Sequence, residues 1–187
     1  MSDKPTVVGI TGPFGSGKTS AAKFFQSLGF SRITLSSFLE KELKEQEKEI
    51  TRKNLQDLGN EWRIESGSGI LANKALKFAS EKNLERLVVD GIRNLGEIEE
   101  FKNNSEFILL GVFADRDVRF ARVRKMPQRE ELTREMFDQL DYRDLGITEE
   151  KETGLQVAKC FAISDYFIDS NDEANFENKL KGFLEKI

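Results

Sequence analysis

The sequence predicts an α/β fold: a five-stranded parallel sheet held between two layers of helices. Three observations carry that prediction. Short β-branched and aromatic runs alternate with longer segments of helical periodicity along the 187 residues, the pattern of strands joined by helical crossovers. No low-complexity linker, internal repeat or long Pro/Gly/Ser tract divides the chain, so a single domain over residues 1–187 is expected. Residues 12 to 19 read Gly12-Pro13-Phe14-Gly15-Ser16-Gly17-Lys18-Thr19, a complete G-x-x-x-x-G-K-[ST] phosphate-binding loop between the first strand and the first helix.

The elements follow in order. Thr6-Val7-Val8-Gly9-Ile10 has the composition of a buried strand, and the helix opening at Thr19 aims its positive end at the loop. That helix ends near Leu28-Gly29. Ser31 to Leu35 reads as the second strand, and Ser37-Phe38-Leu39-Glu40 has the spacing of a capping box opening the next helix. Residues 40–49, dense in Glu and Lys, suit a solvated helix face. Thr51 to Ile64 and Ile70 to Lys82 carry helical spacing, separated by Ser66-Gly67-Ser68-Gly69. Leu87-Val88-Val89-Asp90 is a third buried strand, ending in a carboxylate. A helix from Leu95 to Lys102 precedes a fourth strand, Phe107 to Phe113. Charge-rich helices fill 117–160, Tyr166-Phe167-Ile168 is a short fifth strand, and Asn175 to Lys186 is the last helix. Ligands of such sheets gather at the carboxyl ends of the strands, which is where the site is expected.

Composition prunes the chemistry. The 29 basic and 33 acidic side chains leave a net charge of −4, which calls for neither nucleic acid nor an anionic membrane as partner. No apolar run is long enough to span a bilayer and the N-terminus is not of signal type, so a cytoplasmic location is expected. There is no histidine, which removes Ser-His triads, histidine bases and histidine metal sites from this chain. Cys160 is the single cysteine, which excludes intrachain disulfides and thiolate zinc clusters and suits a small core residue. Carboxylates, Lys, Arg, hydroxyls and magnesium remain, and phosphoryl transfer needs only these.

The first ligand is therefore a nucleoside triphosphate with Mg2+. Gly12, Gly15, Ser16, Gly17 and Ser20 are expected to wrap the phosphates with backbone N–H groups. Lys18 neutralises the β/γ oxygens, and the Thr19 hydroxyl is a hard ligand for magnesium. Asp90, at the end of its strand, is the expected second magnesium ligand.

Asp90-Gly91-Ile92-Arg93 resembles the Asp-Gly-Phe-Pro-Arg element of adenylate kinase and other nucleoside monophosphate kinases. Leu55-Gln56-Asp57-Leu58-Gly59-Asn60-Glu61-Trp62-Arg63 is similar to an element of deoxynucleoside monophosphate kinases and of kinase-like domains fused to deoxycytidylate deaminases. Asp165-Tyr166-Phe167-Ile168-Asp169-Ser170-Asn171 is similar to the end of dephospho-coenzyme A kinases and archaeal adenylate-kinase-like proteins. The resemblance implies a P-loop kinase fold with a helical lid, ATP as donor and a small phosphorylated acceptor, most plausibly a nucleoside or deoxynucleoside monophosphate.

It also implies roles. Arg93 and Arg63 hold the acceptor phosphate, with Ser37 and Lys41 in the acceptor-binding helical region of about 36–82. Asn171 borders the adenine. In a lid of about 115–145, Arg119, Arg122 and Arg124, beside Arg116, Met126-Pro127 and Arg129, neutralise the transition state. A helix wearing its arginines toward solvent explains the same letters. Arg143-Asp144 fits either a second lid contact or an internal salt bridge.

Departures bear on the acceptor. Thr34-Leu35-Ser36-Ser37 lacks the Asp-x-Asp of dephospho-coenzyme A kinases, which counts against a hydroxyl acceptor of that kind. Lys41 is a point charge where adenylate kinases place an arginine fork. Asn73-Lys74-Ala75-Leu76 lacks the aspartate of a guanine-reading motif, which argues against a regulatory GTPase. A non-catalytic nucleotide-sensing module fits the loop as well as an enzyme does.

Overall fold

The computed structural model describes residues 4–125, 132–147 and 154–187. The strands are β1 (Thr6–Thr11), β2 (Ser31–Thr34), β3 (Arg86–Asp90), β4 (Glu106–Phe113) and β5 (Tyr166–Asp169). Between and after them run α1 (Lys18–Ser27), α2 (Ser36–Glu45), α3 (Arg52–Ser66), α4 (Ile70–Glu81), α5 (Leu95–Asn104), α6 (Arg116–Arg124), α7 (Arg134–Leu145), α8 (Val157–Ala162) and α9 (Glu173–Leu184). The five strands pair in the order β2-β3-β1-β4-β5, and every pairing is parallel.

Alternation along the strands explains the layering. Val7, Leu87, Val89 and Leu109 face one helical layer with Leu39, Leu71, Ile98 and Phe101. Their neighbours Val8, Val88, Leu110 and Val112 face the other, with Phe25, Leu180 and Phe183. A sheet covered on both faces reads as continuous apolar strands, as these do. A smaller cluster joins Val123 of α6 and Phe137 of α7 to Phe14 of the phosphate loop.

Register places the site. Ile10 of β1 and Thr34 of β2 both pair with Asp90 of β3, so three strand ends converge on one carboxylate beside the loop leaving β1.

Local sequence accounts for the element boundaries, with one correction. No capping box opens α2: Leu35 is its N-cap without a side-chain bond. Ser37 lies inside the helix and donates to the Thr34 carbonyl at 2.6 Å, while Ser36 donates to Glu40 at 3.0 Å. The capping box instead opens α5, where Asn94 and Glu97 cap each other's backbone. The charge-rich stretch resolves into α6, α7 and α8, and Met126-Pro127 and Arg129 lie outside the described residues. Among the described residues no helix is long and apolar enough to cross a membrane.

Candidate active site

The loop after β1 has the conformation its glycines allow. Gly12 has φ +146°, and a Cβ there would come within 1.9 Å of the Val112 carbonyl oxygen. Gly15, at φ +80°, lies against the backbone of Arg119 in α6. Lys18 folds back over the loop and donates to the Gly12 and Pro13 carbonyls at 2.7 and 2.9 Å. Burial lowers the Lys18 ammonium from 10.5 to about 8, with Arg93 and Arg52 adding repulsion and Asp144 and Asp90 opposing it. Gly12 forms the floor under that lysine, while Gly15, Ser16, Gly17, Lys18, Thr19 and Ser20 line the cleft above.

That cleft, about 590 Å³, follows the carboxyl edge of the sheet. At its β5 end stand Ser170, Glu173 and Phe176; at its β2 end stand Arg32, Thr34, Ser36, Arg52 and Arg93. Between them Thr19 Oγ1 donates to Asp90 Oδ2 at 3.1 Å. Asp90, 4% exposed, also takes a 2.8 Å bond from Arg32. One hydroxyl and one carboxylate at a phosphate loop fit a magnesium ion whose other ligands are phosphate oxygens and water. Among the described residues no group of three or more His, Cys, Asp or Glu side chains could hold a metal alone.

Arg93 is held in place from several sides. Buried Glu97 accepts from the backbone N–H of Arg93 and of Asn94 at 2.8 and 3.1 Å. The Arg93 carbonyl accepts from Gln156, and Thr11 donates to the Ile92 carbonyl. Its side chain, with Arg52 at the start of α3, faces the phosphate loop across the cleft. Behind both lies Asp144 of α7, fully buried, 3.1 Å from Arg52 and 3.6 Å from Arg93. Burial works against the Asp144 charge, but Arg93, Arg52 and Lys18 together hold its carboxyl below the usual range.

Several expected contacts fall elsewhere. Arg119 is buried and grips Asp141 in a fork of 2.6 and 3.1 Å, with further bonds to the Ala114 and Phe14 carbonyls. It braces the loop from behind and lies outside the cleft. The cause is on α7, where Asp138, Asp141 and Asp144 recur every three residues on one helical face. Asp138 takes Arg116, Asp141 takes Arg119, and Asp144 takes Arg52 and Arg93. Arg122 does line the cleft, but at the β5 end, tied to Ser170 and Glu173. Arg124 is exposed and outside the cleft.

The acceptor and adenine residues shift similarly. Arg63 is 3% exposed and paired with Glu97 at 2.8 Å, so it supports the Arg93 turn and is not available to hold a phosphate in the cleft. Lys41 is exposed, 3.7 Å from Glu45, and Ser37 is turned onto Thr34; Ser36 faces the cleft instead. Asn171 accepts from the Asp115 N–H, and its neighbour Ser170 faces the cleft in its stead. Arg143 donates to Asp57 of α3 at 2.6 Å while Asp144 pairs with Arg52 and Arg93, so both members of Arg143-Asp144 form internal salt bridges.

Arg32, Arg52 and the anchoring role of Asp144 were not legible from motif matching. A signal existed for one of them: Arg32 and Thr34 share a strand face at i, i+2 near the carboxyl end of β2. The three-residue spacing of the α7 aspartates also marks one face, though it names no partner. Nothing in the spacing of Arg52 marks it.

No protein-family model matches the chain. It is 30% identical over 183 residues to a UPF0200 protein of Sulfurisphaera tokodaii, spanning 97% of each chain. A UPF0200 protein of Methanocaldococcus jannaschii is 27% identical over 187 residues, covering 97% of this chain and 90% of the relative. Among solved structures, TT1252 from Thermus thermophilus superposes with a TM-score of 0.64 at 20% identity over 99% of both chains. The shikimate kinase of Bacteroides thetaiotaomicron superposes with a TM-score of 0.60 at 18% identity over 96% of this chain and 97% of that one. The fold is that of P-loop kinases.

Proposed function

Starting from a chain that belongs to the UPF0200 family, we propose that it transfers the γ-phosphoryl group of ATP to an oxygen of a small phosphorylated acceptor, a nucleoside or deoxynucleoside monophosphate, leaving ADP. One observation carries the reading: Arg52 and Arg93 face the phosphate loop across a single cleft, and among the described residues the carboxylate beside them, Asp144, is paired with both. A guanidinium never loses its charge and binds phosphate in a fork, so a pair of them suits a second anion.

A hydroxyl acceptor needs a group to take its proton. Of the described carboxylates near Arg93, Asp144 is pinned by two arginines and held acidic, and Asp90 is engaged by Arg32 and Thr19. Asp144, so held, is a poor proton acceptor, and the Asp90 carboxylate is already occupied by its two donors. A monophosphate oxygen is already deprotonated at neutral pH and needs none.

Magnesium ATP, when bound, supplies a phosphoryl group whose spread negative charge must be neutralised during transfer. In this reading Gly15 to Ser20 hold the phosphates, Thr19 and Asp90 hold the ion, and Lys18 exchanges its loop carbonyls for phosphate oxygens. Arg52 and Arg93 orient the acceptor. Arg122, Ser170 and Phe176 border the base of the donor.

The test is ADP release from ATP and magnesium across the ribo- and deoxynucleoside monophosphates, with dephospho-coenzyme A alongside. At least one monophosphate should raise the rate and dephospho-coenzyme A should not. ADP release that no acceptor changes would mark a nucleotide-sensing module and overturn the assignment.

A further inference from the structure

Next to the acceptor end of the cleft lies a second, much smaller cavity of about 20 Å³. Ser36, Gly91 and Arg93 wall both spaces. The rest of its lining is leucine from several elements together with Gly59, Gln56 and Arg63 of α3, the last two being polar. Gln56 is 2% exposed, yet among the described residues neither its amide nitrogen nor its carbonyl oxygen has a hydrogen-bond partner. Arg63 Nε beside it is likewise unpartnered.

A buried carboxamide with both ends unmade is destabilising, so such groups persist where something else satisfies them. A space this size holds about one water, or one edge of a larger molecule, but not a whole ring. A carboxamide offers a donor and an acceptor side by side in one plane, which complements the paired N–H and C=O, or amino and ring nitrogen, at the edge of a nucleobase. Polyol sugar phosphates present no such planar pair.

We infer that Gln56 reads the acceptor: the edge of a nucleobase enters this annex, displaces a water and bonds the Gln56 amide, while the phosphate of the same molecule lies between Arg93 and Arg52. This rests on the monophosphate kinase reading above and assigns the residue that recognises the base. Gln56 is thus a specificity residue. It sits one helical turn from Arg52 on the same helix, so α3 supplies both the anion grip and the base contact.

The test measures acceptor-dependent ADP release by the full chain with each nucleoside monophosphate and with ribose 5-phosphate, which has no base. It compares the unchanged protein with Gln56→Leu and the isosteric Gln56→Glu, each checked by thermal melting. Gln56→Leu should raise KM for the preferred nucleotide at least tenfold, with kcat within about threefold, KM for ATP unchanged and ribose 5-phosphate unaffected. Gln56→Glu, which loses the donor, should favour amino-bearing cytosine or adenine over uracil or thymine. Should Gln56→Leu not fold, that change of ranking still decides. Nucleotide kinase activity whose base ranking and KM ratio to ribose 5-phosphate stay within twofold in the folded variants would make the annex a structural water site and overturn the inference alone. Absence of any acceptor-dependent activity in the unchanged protein would instead bring down the kinase reading, and this inference with it.

Discussion

The Asp144 carboxylate of α7 stands 3.1 Å from the Arg52 guanidinium at the start of α3, and its own side chain is wholly buried. A carboxylate thus rests against the cationic wall that faces the phosphate loop, balancing Arg52, Arg93 and Lys18.

Asp144→Asn removes that balance while keeping the shape. Breaking a buried pair by deleting one partner can be destabilising by about 3–5 kcal/mol, and the partial exposure of both arginines reduces the expected loss to roughly 1–3 kcal/mol. Bound anions should then stabilise the variant more than the unchanged protein. Because the Asp144 carboxyl is held below its ordinary 3.8, its contribution is present above that pH and is lost as acid protonates it in the fold. Urea denaturation with and without magnesium ATP measures both effects; an unaltered midpoint in the variant refutes the balancing role.

Arg93→Ala and Arg52→Ala should each raise the acceptor KM by roughly 10- to 100-fold, since a charge-assisted hydrogen bond contributes about 1.5–3 kcal/mol. The KM for ATP should stay within a few-fold. Steady-state kinetics with each substrate varied in turn checks this, and an equal rise for both substrates contradicts the division of the cleft.

Arg119→Ala strands the buried Asp141 carboxylate and should lower folding stability by roughly 3–5 kcal/mol. Arg122→Ala, by contrast, removes contacts at a half-exposed edge and should change stability by no more than about 1 kcal/mol while weakening ATP binding. Denaturant midpoints discriminate the two. A fully stable Arg119→Ala protein without turnover would return Arg119 to the chemistry.

Lys18 gives the pH dependence. Its ammonium titrates near 8 in the fold against 10.5 unfolded, so the cost of burying the charge is fully present below about pH 8 and is relieved as pH rises toward 10.5. Polyphosphate binding has the opposite preference, because it needs the charged form. Affinity for ATP should therefore fall above pH 8, by up to tenfold per pH unit, with proton uptake on binding. Calorimetry at pH 8.5 in two buffers of different ionisation enthalpy measures that uptake; a heat independent of buffer excludes it.

The fold was legible because its signals are local and periodic. β1, β3 and β4 are apolar runs in the sequence, and the loop motif and the end of the next-but-one strand place Lys18, Thr19 and Asp90 along one cleft. The capping box at Ser37 misled because Ser-x-x-Glu also occurs inside a helix, where Ser37 bonds back to Thr34. The arginines misled for a different reason. Their charge was visible, but their partners Asp138, Asp141 and Asp144 come from another helix, and tertiary pairing decides which guanidinium stays in the cleft. On the same grounds Arg52 and not Arg63 lines the cleft, since Glu97 pairs with the latter.

The Phe14 ring, in the middle of the phosphate loop, lies 6.0 Å from the Phe137 ring of α7 and carries the Arg52 guanidinium 3.7 Å from its centroid. Swinging α7 outward must therefore either drag the loop along or bare an aromatic surface to water, at an expense of roughly 1.5–3 kcal/mol for a whole phenyl group. The phosphate loop and α7 are thus mechanically coupled, with Phe14 as the linkage pin between them.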